Sequence, residues 1–316
     1  KSIQSDHSFQ RIEEEIDWCN KNSIEIIPFT DSRYPYRLLQ CHDAPLLLFV
    51  KGDIDLNPKR IISIVGTRKN TSYGQSVTEE LVESLAHLDV TIVSGLALGI
   101  DGIAHKQSIT SQLPTIGVLG HALNQIYPRQ HASLSKKMLE NKGGLISEFS
   151  TQSVFDRNNF PMRNRIVAGM SDATILIESA ASGGAMITAE IAYSYGREVF
   201  AVPGKWNDTV SQGPNKLLKQ LKAQILTHPN DLAEALGWKI RQQLSIDGFY
   251  NKKYKYQHLE ENELKIVSYM ESNESSSMDM IHYATEIPIS TLSSTLLSME
   301  FKGILIALPG KRFQLK

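Results

Sequence analysis

The sequence predicts an α/β protein in which a doubly wound, mostly parallel sheet is followed by a small C-terminal domain. Helical patterns alternate with short apolar runs, and this alternation is typical of a parallel sheet that is covered on both faces. With 316 residues, of which 41% are hydrophobic, the chain can build one α/β domain and a smaller second one. The predicted strands are residues 61–65, 90–94, 115–119, 173–177 and 198–202.

The chain divides into four predicted segments. Residues 1–58 contain too few apolar runs for a core of their own, so we expect them to pack on the main domain at 59–238. Residues 239–258 are polar and predict a linker. The remaining residues, 259–316, predict three helices and a hairpin, which is the layout of a winged-helix domain.

The third helix of this C-terminal segment is unusual for a reader of duplex DNA. From Ile289 to Phe301 it carries serines and threonines where such readers carry arginine, lysine, asparagine or glutamine, and Lys302 follows only at its end. The segment is therefore at least as consistent with protein contact or regulation as with duplex reading.

Composition excludes several classes of protein. The net charge is −1, so any site for a polyanion must come from local clusters of arginine and lysine. No apolar run approaches the ~20 residues of a membrane span, and the first residues lack a signal-peptide pattern. Cys19 and Cys41 have no metal-ligand spacing and fit a reducing compartment. We therefore expect a cytoplasmic protein without a bound metal.

An arginine pair in the stretch Phe160–Ile166 is the first candidate site. Arg163 and Arg165 flank Asn164 between an aromatic residue and an apolar run, which should hold the backbone firmly. Rigidly held guanidinium groups suit phosphate, because their donors match its oxygens. The alternative is a buried structural ion pair with an aspartate or glutamate.

A glycine turn about a hundred residues upstream is the second candidate. Gly66, Thr67, Arg68 and Lys69 follow the predicted strand 61–65 and precede a helical pattern, so backbone N–H groups and a positive helix end should meet there. The alternative is an ordinary turn with exposed charges. Because parallel strands end at one edge of a sheet, we expect this turn to share a groove with other strand ends. Those further candidates are Ser94 and Gly95, and Lys205.

The absence of two nucleotide-binding motifs reduces the range of possible ligands. The turn has one glycine instead of a dinucleotide-binding G-x-G-x-x-G, and the strand at 90–94 ends in Ser94 rather than in an acid that would hold a ribose. A G-x-x-x-x-G-K-[ST] phosphate loop is absent from the sequence. We therefore predict a phosphate ligand other than NAD or ATP, and no cofactor.

Together with further motifs, these segments resemble the bacterial DNA-processing protein A family (DprA, also called Smf). The resemblance covers roughly residues 28–230, in order and at the family's spacing. One departure is Ala122-Leu123-Asn124, where the family usually shows Gly-Leu-Asp. The matching segments are 64–68, 73–74, 94–101, 127–128, 147–149, 160–165, 182–189 and 197–204.

The resemblance implies an extended Rossmann-like fold without an established catalytic activity. It also implies a homodimer that binds single-stranded DNA, protects incoming strands and loads the RecA recombinase onto them during natural transformation or recombination. On this chain the arginines would hold phosphates and Phe160 would stack on a base. The DNA-binding set so predicted is Gly66, Thr67, Arg68, Lys69, Ser94, Gly95, Arg129, Phe160, Arg163, Asn164, Arg165, Gly183, Gly184 and Lys205.

Two other functions stay open from the sequence. Gly183-Gly184, Thr188 and Glu190 imitate a nucleoside-monophosphate phosphoribohydrolase, in which a glutamate at a helix start stabilises an oxocarbenium-like centre. The chain could also be a protein-interaction adaptor that binds no nucleic acid, although the arginine segments argue against this.

Overall fold

The predicted sheet is present, and among the described residues it has nine strands. Those residues, in this computed structural model, are 6–238, 259–271, 276–308 and 312–315. The strands are β1 (Ile24–Pro28), β2 (Leu47–Lys51), β3 (Ile61–Val65), β4 (Thr91–Ser94), β5 (Thr115–Leu119), β6 (Gly144–Ser147), β7 (Ala173–Leu176), β8 (Glu198–Ala201) and β9 (Gln224–Ile225). The helices that belong to the same unit are α1 (Asp6–Lys21), α2 (Tyr36–Leu39), α3 (Ser72–Ser84), α4 (Ile100–Thr110), α5 (Ala132–Glu140), α6 (Asn159–Gly169), α7 (Gly184–Ser194), α8 (Gln212–Lys219) and α9 (Pro229–Ala235).

The strand order is β1-β2-β6-β5-β4-β3-β7-β8-β9, and every pair from β6 to β9 is parallel. The chain builds outward from β3 to β6, returns through α6 to β7 beside β3, and then builds outward in the opposite direction. The order therefore reverses between β3 and β7, which is the point where open α/β sheets form a crevice for ligands. The prediction of a Rossmann-like, doubly wound, mostly parallel sheet is confirmed.

The sequence pattern predicted the central strands correctly because these strands are buried. All residues of β3 are buried, and the strand alternates its side chains between the two faces of the sheet. Ile61 joins the core under α6 and α7, whereas Ile62 joins the core under α3 and α4. The hydroxyl of Ser63 lies 2.7 Å from that of Thr174 on β7, so this polar residue is satisfied inside the sheet.

The front segment does more than pack on the main domain. Strand β2 pairs antiparallel with β6, and β1 pairs antiparallel with β2, so residues before 59 extend the same sheet. Residues 1–240 accordingly form one compact unit, without a structural boundary at 58. The sequence did not reveal β6, because this four-residue strand has only Leu145 and Ile146 as large apolar residues.

The second unit begins at residue 241 and has its own apolar core, which includes Ile266, Ile281 and Leu296. The three strands described in this unit form a sheet in the order β10-β12-β11. These elements match the predicted helices and hairpin, and their description as a winged helix stays our prediction. The linker predicted at 239–258 lies outside the described residues. The elements are α10 (Glu261–Met270), β10 (Ser276–Ser277), α11 (Met278–Thr285), α12 (Ile289–Phe301), β11 (Leu305–Leu308) and β12 (Arg312–Leu315).

An ion pair between buried Arg37 and partly buried Asp172 fixes α2 to the sheet, and its removal should destabilise the first unit. Arg37 donates from Nε to Asp172 at 2.6 Å and from Nη2 at 3.1 Å, and Asp172 also accepts from the Ile61 amide. Because Arg37→Ala leaves Asp172 without its counter-charge, we expect a loss of about 3 kcal/mol in the free energy of unfolding, measured with urea.

The matched control for this substitution is Arg33→Ala. Arg33 belongs to the same segment and forms exposed ion pairs with Glu25 and Asp31. Exposed pairs are screened by water, so the unfolding midpoint should not change measurably. Equal effects of the two substitutions would contradict the role assigned to the Arg37–Asp172 pair.

Candidate functional site

A groove of about 820 Å³ opens at the carboxyl ends of β3 and β7, where the strand order reverses. Its walls are the turn after β3, the turn after β4, the start of α6 and the start of α7. The fold thus brings the two arginine segments of the sequence together. The predicted residues that line the groove are Gly66, Thr67, Arg68, Lys69, Gly95, Phe160, Arg163, Asn164, Gly183 and Gly184.

The turn after β3 is held from beneath by Glu178, which follows β7. The Thr67 amide donates to the backbone carbonyl of Glu178 at 2.7 Å, and the Thr71 amide donates to its carboxylate at 2.9 Å. The Thr71 hydroxyl also donates to that carboxylate. Since Glu178 is buried, these bonds fix the turn while Arg68 and Lys69 remain exposed.

Arg163 forms part of the groove floor. Its side chain is buried, and Nη1 donates to the Val118 carbonyl at 2.7 Å. Burial lowers the pKa of the Arg163 guanidinium to about 10, against the opposing effect of nearby Asp101, so the group stays charged at neutral pH. A Cβ atom at position 95 would lie only 1.8 Å from Nη1, so glycine at this position makes room for the guanidinium.

Asp101 balances this buried charge from the first turn of α4. Its carboxylate accepts from the amides of Gly95 at 3.1 Å and Ala97 at 3.4 Å. Burial raises the pKa of Asp101, and the Arg163 charge opposes that rise. The Gly95 amide therefore donates to a carboxylate inside the protein rather than to a ligand. Ser94 is likewise structural, because it is fully buried and donates to the Ile64 carbonyl at 2.6 Å.

The start of α7 presents free backbone donors to the groove. Gly183 is the N-cap residue, has no side-chain cap and adopts a φ of 148°, which favours glycine. A Cβ atom placed there would have no described atom within 4 Å, so the space above it is open. Uncapped amides at a helix N-terminus attract anions, because they lack partners within the helix and the helix dipole is positive there.

An aromatic cluster lies at one side of the groove. The rings of Tyr127, Phe155 and Phe160 are 5.5 to 5.8 Å apart, centroid to centroid. Tyr127 and Phe155 are 47% and 45% exposed, so their faces can be covered by a ligand. Tyr127 and Phe160 share a small depression with Arg68 and Arg163, which joins the aromatic surface to the charged one.

The structure adds residues that the sequence did not single out. Arg157 lines the groove and is exposed, and Phe155 completes the aromatic cluster. Both lie in the segment between β6 and α6, whose composition is polar and has no periodicity. Tyr127 was detectable, because the Tyr127-Pro128 pair is one of the segments that resemble the DprA family.

Arg165 is the main correction to the predicted set. Residues two positions apart on a helix point to nearly opposite sides, so Arg165 faces away from the groove that Arg163 enters. Its guanidinium pairs instead with Glu148, and the two side chains are 16% and 11% exposed. This is the buried ion pair that the sequence left open as the alternative.

Other predicted residues also lie elsewhere. Arg129 and Lys205 are exposed and lie outside the groove lining. Asn164 lines the groove, but its Nδ2 also donates to the Gly184 carbonyl at 3.2 Å and so joins α6 to α7. Glu190 is exposed on α7 outside the lining, although Thr188 belongs to it. The phosphoribohydrolase alternative requires Glu190 at the groove, and the structure places this residue outside it.

A buried histidine under the groove makes stability depend on pH. His105 lies 2.7 Å from the Thr115 hydroxyl, and burial, with the charges of His131 and Arg163, lowers its pKa to about 3. Below the unfolded-state pKa of about 6.5, the unfolded chain therefore binds a proton that the folded chain does not. His105 should thus remove about 2 kcal/mol of stability between pH 7 and pH 5.

Urea unfolding at these two pH values tests this expectation. His105→Gln should shrink the pH-dependent loss by about that amount, because glutamine does not titrate. The control His87→Gln changes an exposed histidine and should leave the loss unchanged. An identical pH dependence in wild type and His105→Gln would contradict the assignment.

Comparison with known proteins now identifies the family. A sequence profile described as "DNA recombination-mediator protein A" matches residues 25–237. Protein Smf of Escherichia coli is 35% identical over 98% of this chain and 83% of its own length. The DNA processing protein DprA of Bacillus subtilis is 40% identical over 68% of this chain and 72% of its own length.

Solved structures agree with the sequence comparison. DNA processing protein A from Streptococcus pneumoniae has a TM-score of 0.64 at 31% identity, covering 74% of this chain and 83% of that one. DNA processing protein A from Helicobacter pylori, described for its single-stranded DNA binding mode, has a TM-score of 0.61 at 28% identity, covering 67% and 95%. The chain therefore belongs to the DNA recombination-mediator protein A family, which includes the proteins named DprA and Smf.

Proposed function

We propose that this chain binds single-stranded DNA in the groove between β3 and β7. The observation that carries the proposal is the junction of exposed cations with an exposed aromatic cluster along one groove. Arg68, Lys69 and Arg157 would hold backbone phosphates, together with the free amides at the start of α7. Tyr127 and Phe155 would stack against bases.

Several physical features favour a single strand over a duplex. Aromatic side chains can stack only on bases that have left the helical stack, and every base offers such a face. The exposed hydrogen-bond donors at the groove belong to cationic side chains, which suit phosphates. Because phosphate contacts carry no information about the bases, binding should tolerate any sequence. The likeness to the Helicobacter pylori protein, whose structural description names single-stranded DNA binding, supports this choice.

We further infer a role in recombination. Family membership and the relatives named DNA processing proteins support a role in DNA recombination. That the chain holds and protects incoming single strands is an inference from the family resemblance. Loading of the RecA recombinase, natural transformation and a homodimeric state are inferences from the family resemblance. A dimer would place two grooves on one strand and raise the apparent affinity through effective concentration.

An enzymatic role has less support. Glu190, the residue that the phosphoribohydrolase alternative requires, lies outside the groove lining. The groove floor holds a carboxylate, Asp101, but its oxygen accepts backbone hydrogen bonds and its charge faces Arg163. We therefore propose a binding protein.

Substitution of the exposed arginines should weaken DNA binding in a salt-dependent way. Arg68→Ala or Arg157→Ala removes one phosphate contact, so the slope of log affinity against log salt should become shallower by about 0.7 per substitution. Binding of fluorescent oligo(dT) across a salt series measures this slope. Lys205→Ala, which removes an exposed lysine outside the groove, serves as the control and should leave affinity and slope unchanged.

Substitution of the aromatic residues should have a different signature. Tyr127→Ala and Phe155→Ala should each weaken oligo(dT) binding by about 1–3 kcal/mol, because each removes a stacking surface, with the salt slope unchanged. Both residues are half-exposed, so the fold should tolerate the change. A salt slope that changes as it does in Arg68→Ala, or an unchanged affinity, would remove the aromatic cluster from the proposed site.

A further inference from the structure

The outward side of helix α12 carries large apolar residues instead of DNA-reading side chains. Leu292, Leu296 and Met299 face the core of the second unit and are buried. Leu297 and Phe301 are four positions apart, so they share one side of the helix, and they are 54% and 84% exposed. We name Leu297, Glu300 and Phe301 the α12 face.

The C-terminal segment that contains this face has more acidic than basic residues. Residues 259–316 contain eight aspartates and glutamates but five lysines and arginines. Helix α12 itself has Glu300 and no lysine or arginine along its length. Glu300 is exposed and forms no ion pair with the described residues. A negative helix of this kind repels phosphates, so duplex DNA is an unsuitable ligand for it.

Neighbouring lysines do not change this charge balance. Lys302 directly follows the helix, but its Nζ lies 2.7 Å from the carboxylate of Glu263, a buried residue of α10. Lys265 forms an ion pair with Glu261 at 2.9 Å. Both lysines are therefore paired with glutamates of the same unit, and the exposed carboxylate of Glu300 has no ion-pair partner among the described residues.

We propose that the α12 face binds a partner protein through a basic amphipathic helix of that partner. Leu297 and Phe301 would cover the apolar side of such a helix, and Glu300 would meet a lysine or arginine at its edge. Large aromatic and apolar side chains contribute most to protein interfaces when they are fully covered, and Phe301 is the most exposed apolar residue of this helix. A second copy of the same face is disfavoured, because it would oppose Glu300 with another carboxylate.

Binding of a designed helix to the 316-residue chain tests this proposal. The probe is a fluorescent peptide of about 18 residues, made of leucines on one helical side and lysines on the other. The control peptide has glutamate in place of lysine. Fluorescence anisotropy should show binding of the lysine peptide alone, with Leu297→Ser/Phe301→Ser weakening it at least about tenfold. Glu300→Lys should also weaken binding and reduce its dependence on salt.

Matched controls separate this face from nonspecific attraction and from the proposed DNA groove. Leu264→Ser changes a similarly exposed leucine on α10 and should leave peptide binding unchanged. Arg68→Ala should also leave it unchanged, and the double serine variant should keep wild-type binding of oligo(dT) and an unchanged thermal transition.

Three results would overturn the proposal. The first is equal affinity of the lysine peptide for wild type and for Leu297→Ser/Phe301→Ser. The second is self-association of the wild type that the double variant abolishes, which would make a second copy the occupant. The third is binding of duplex DNA that is lost in the double variant, which would make α12 a duplex-binding helix.

Discussion

The burial of two opposite charges beneath the groove, on Arg163 and Asp101, constrains the structure around them. A charge removed from water needs compensation, and here it comes from the Val118 carbonyl for the guanidinium and from two amides of the turn after β4 for the carboxylate. The two charged residues lie on α6 and α4, and their partners lie on β5 and in the turn after β4. The pair therefore helps to set how α6 returns over the sheet, and it requires glycine at position 95.

This arrangement separates structural charges from charges that a ligand can meet. Arg163 and Asp101 are buried at the floor, where the charge of each opposes the pKa shift that burial causes in the other. Arg68, Lys69 and Arg157 are instead exposed at the walls. Flexible exposed cations can follow successive phosphates without fixing the identity of the bases. The aromatic cluster at the side of the groove adds an apolar surface, which suits unpaired bases. Together these features form the binding site that we propose, in which the cations meet phosphates and the aromatic rings accept any base.

Within the described residues, none of the helices is both long and apolar enough to cross a bilayer.

The sequence predicted the sheet because β-branched runs such as Ile61–Val65 are buried on both faces and remain recognisable without their neighbours. It could not predict that β2 pairs with β6, since that pairing joins distant short segments. The turn after β3 was predictable from its glycine and arginine. Arg165 was misplaced because the face of α6 that meets the groove follows from packing, and Arg157 was missed because its loop has no periodic pattern. The anchoring role of Glu178 depends on the order of strands, which the local sequence does not contain.

The central claim is that the groove binds single-stranded DNA by phosphate contacts and base stacking. Its most direct test is the affinity of the 316-residue chain for labelled oligo(dT) and for a duplex of equal length, measured across a salt series. We predict tighter binding of the single strand with a steep loss of affinity as salt rises, since several phosphates are neutralised. Equal affinity for the two forms, or binding that is insensitive to salt, would contradict the account.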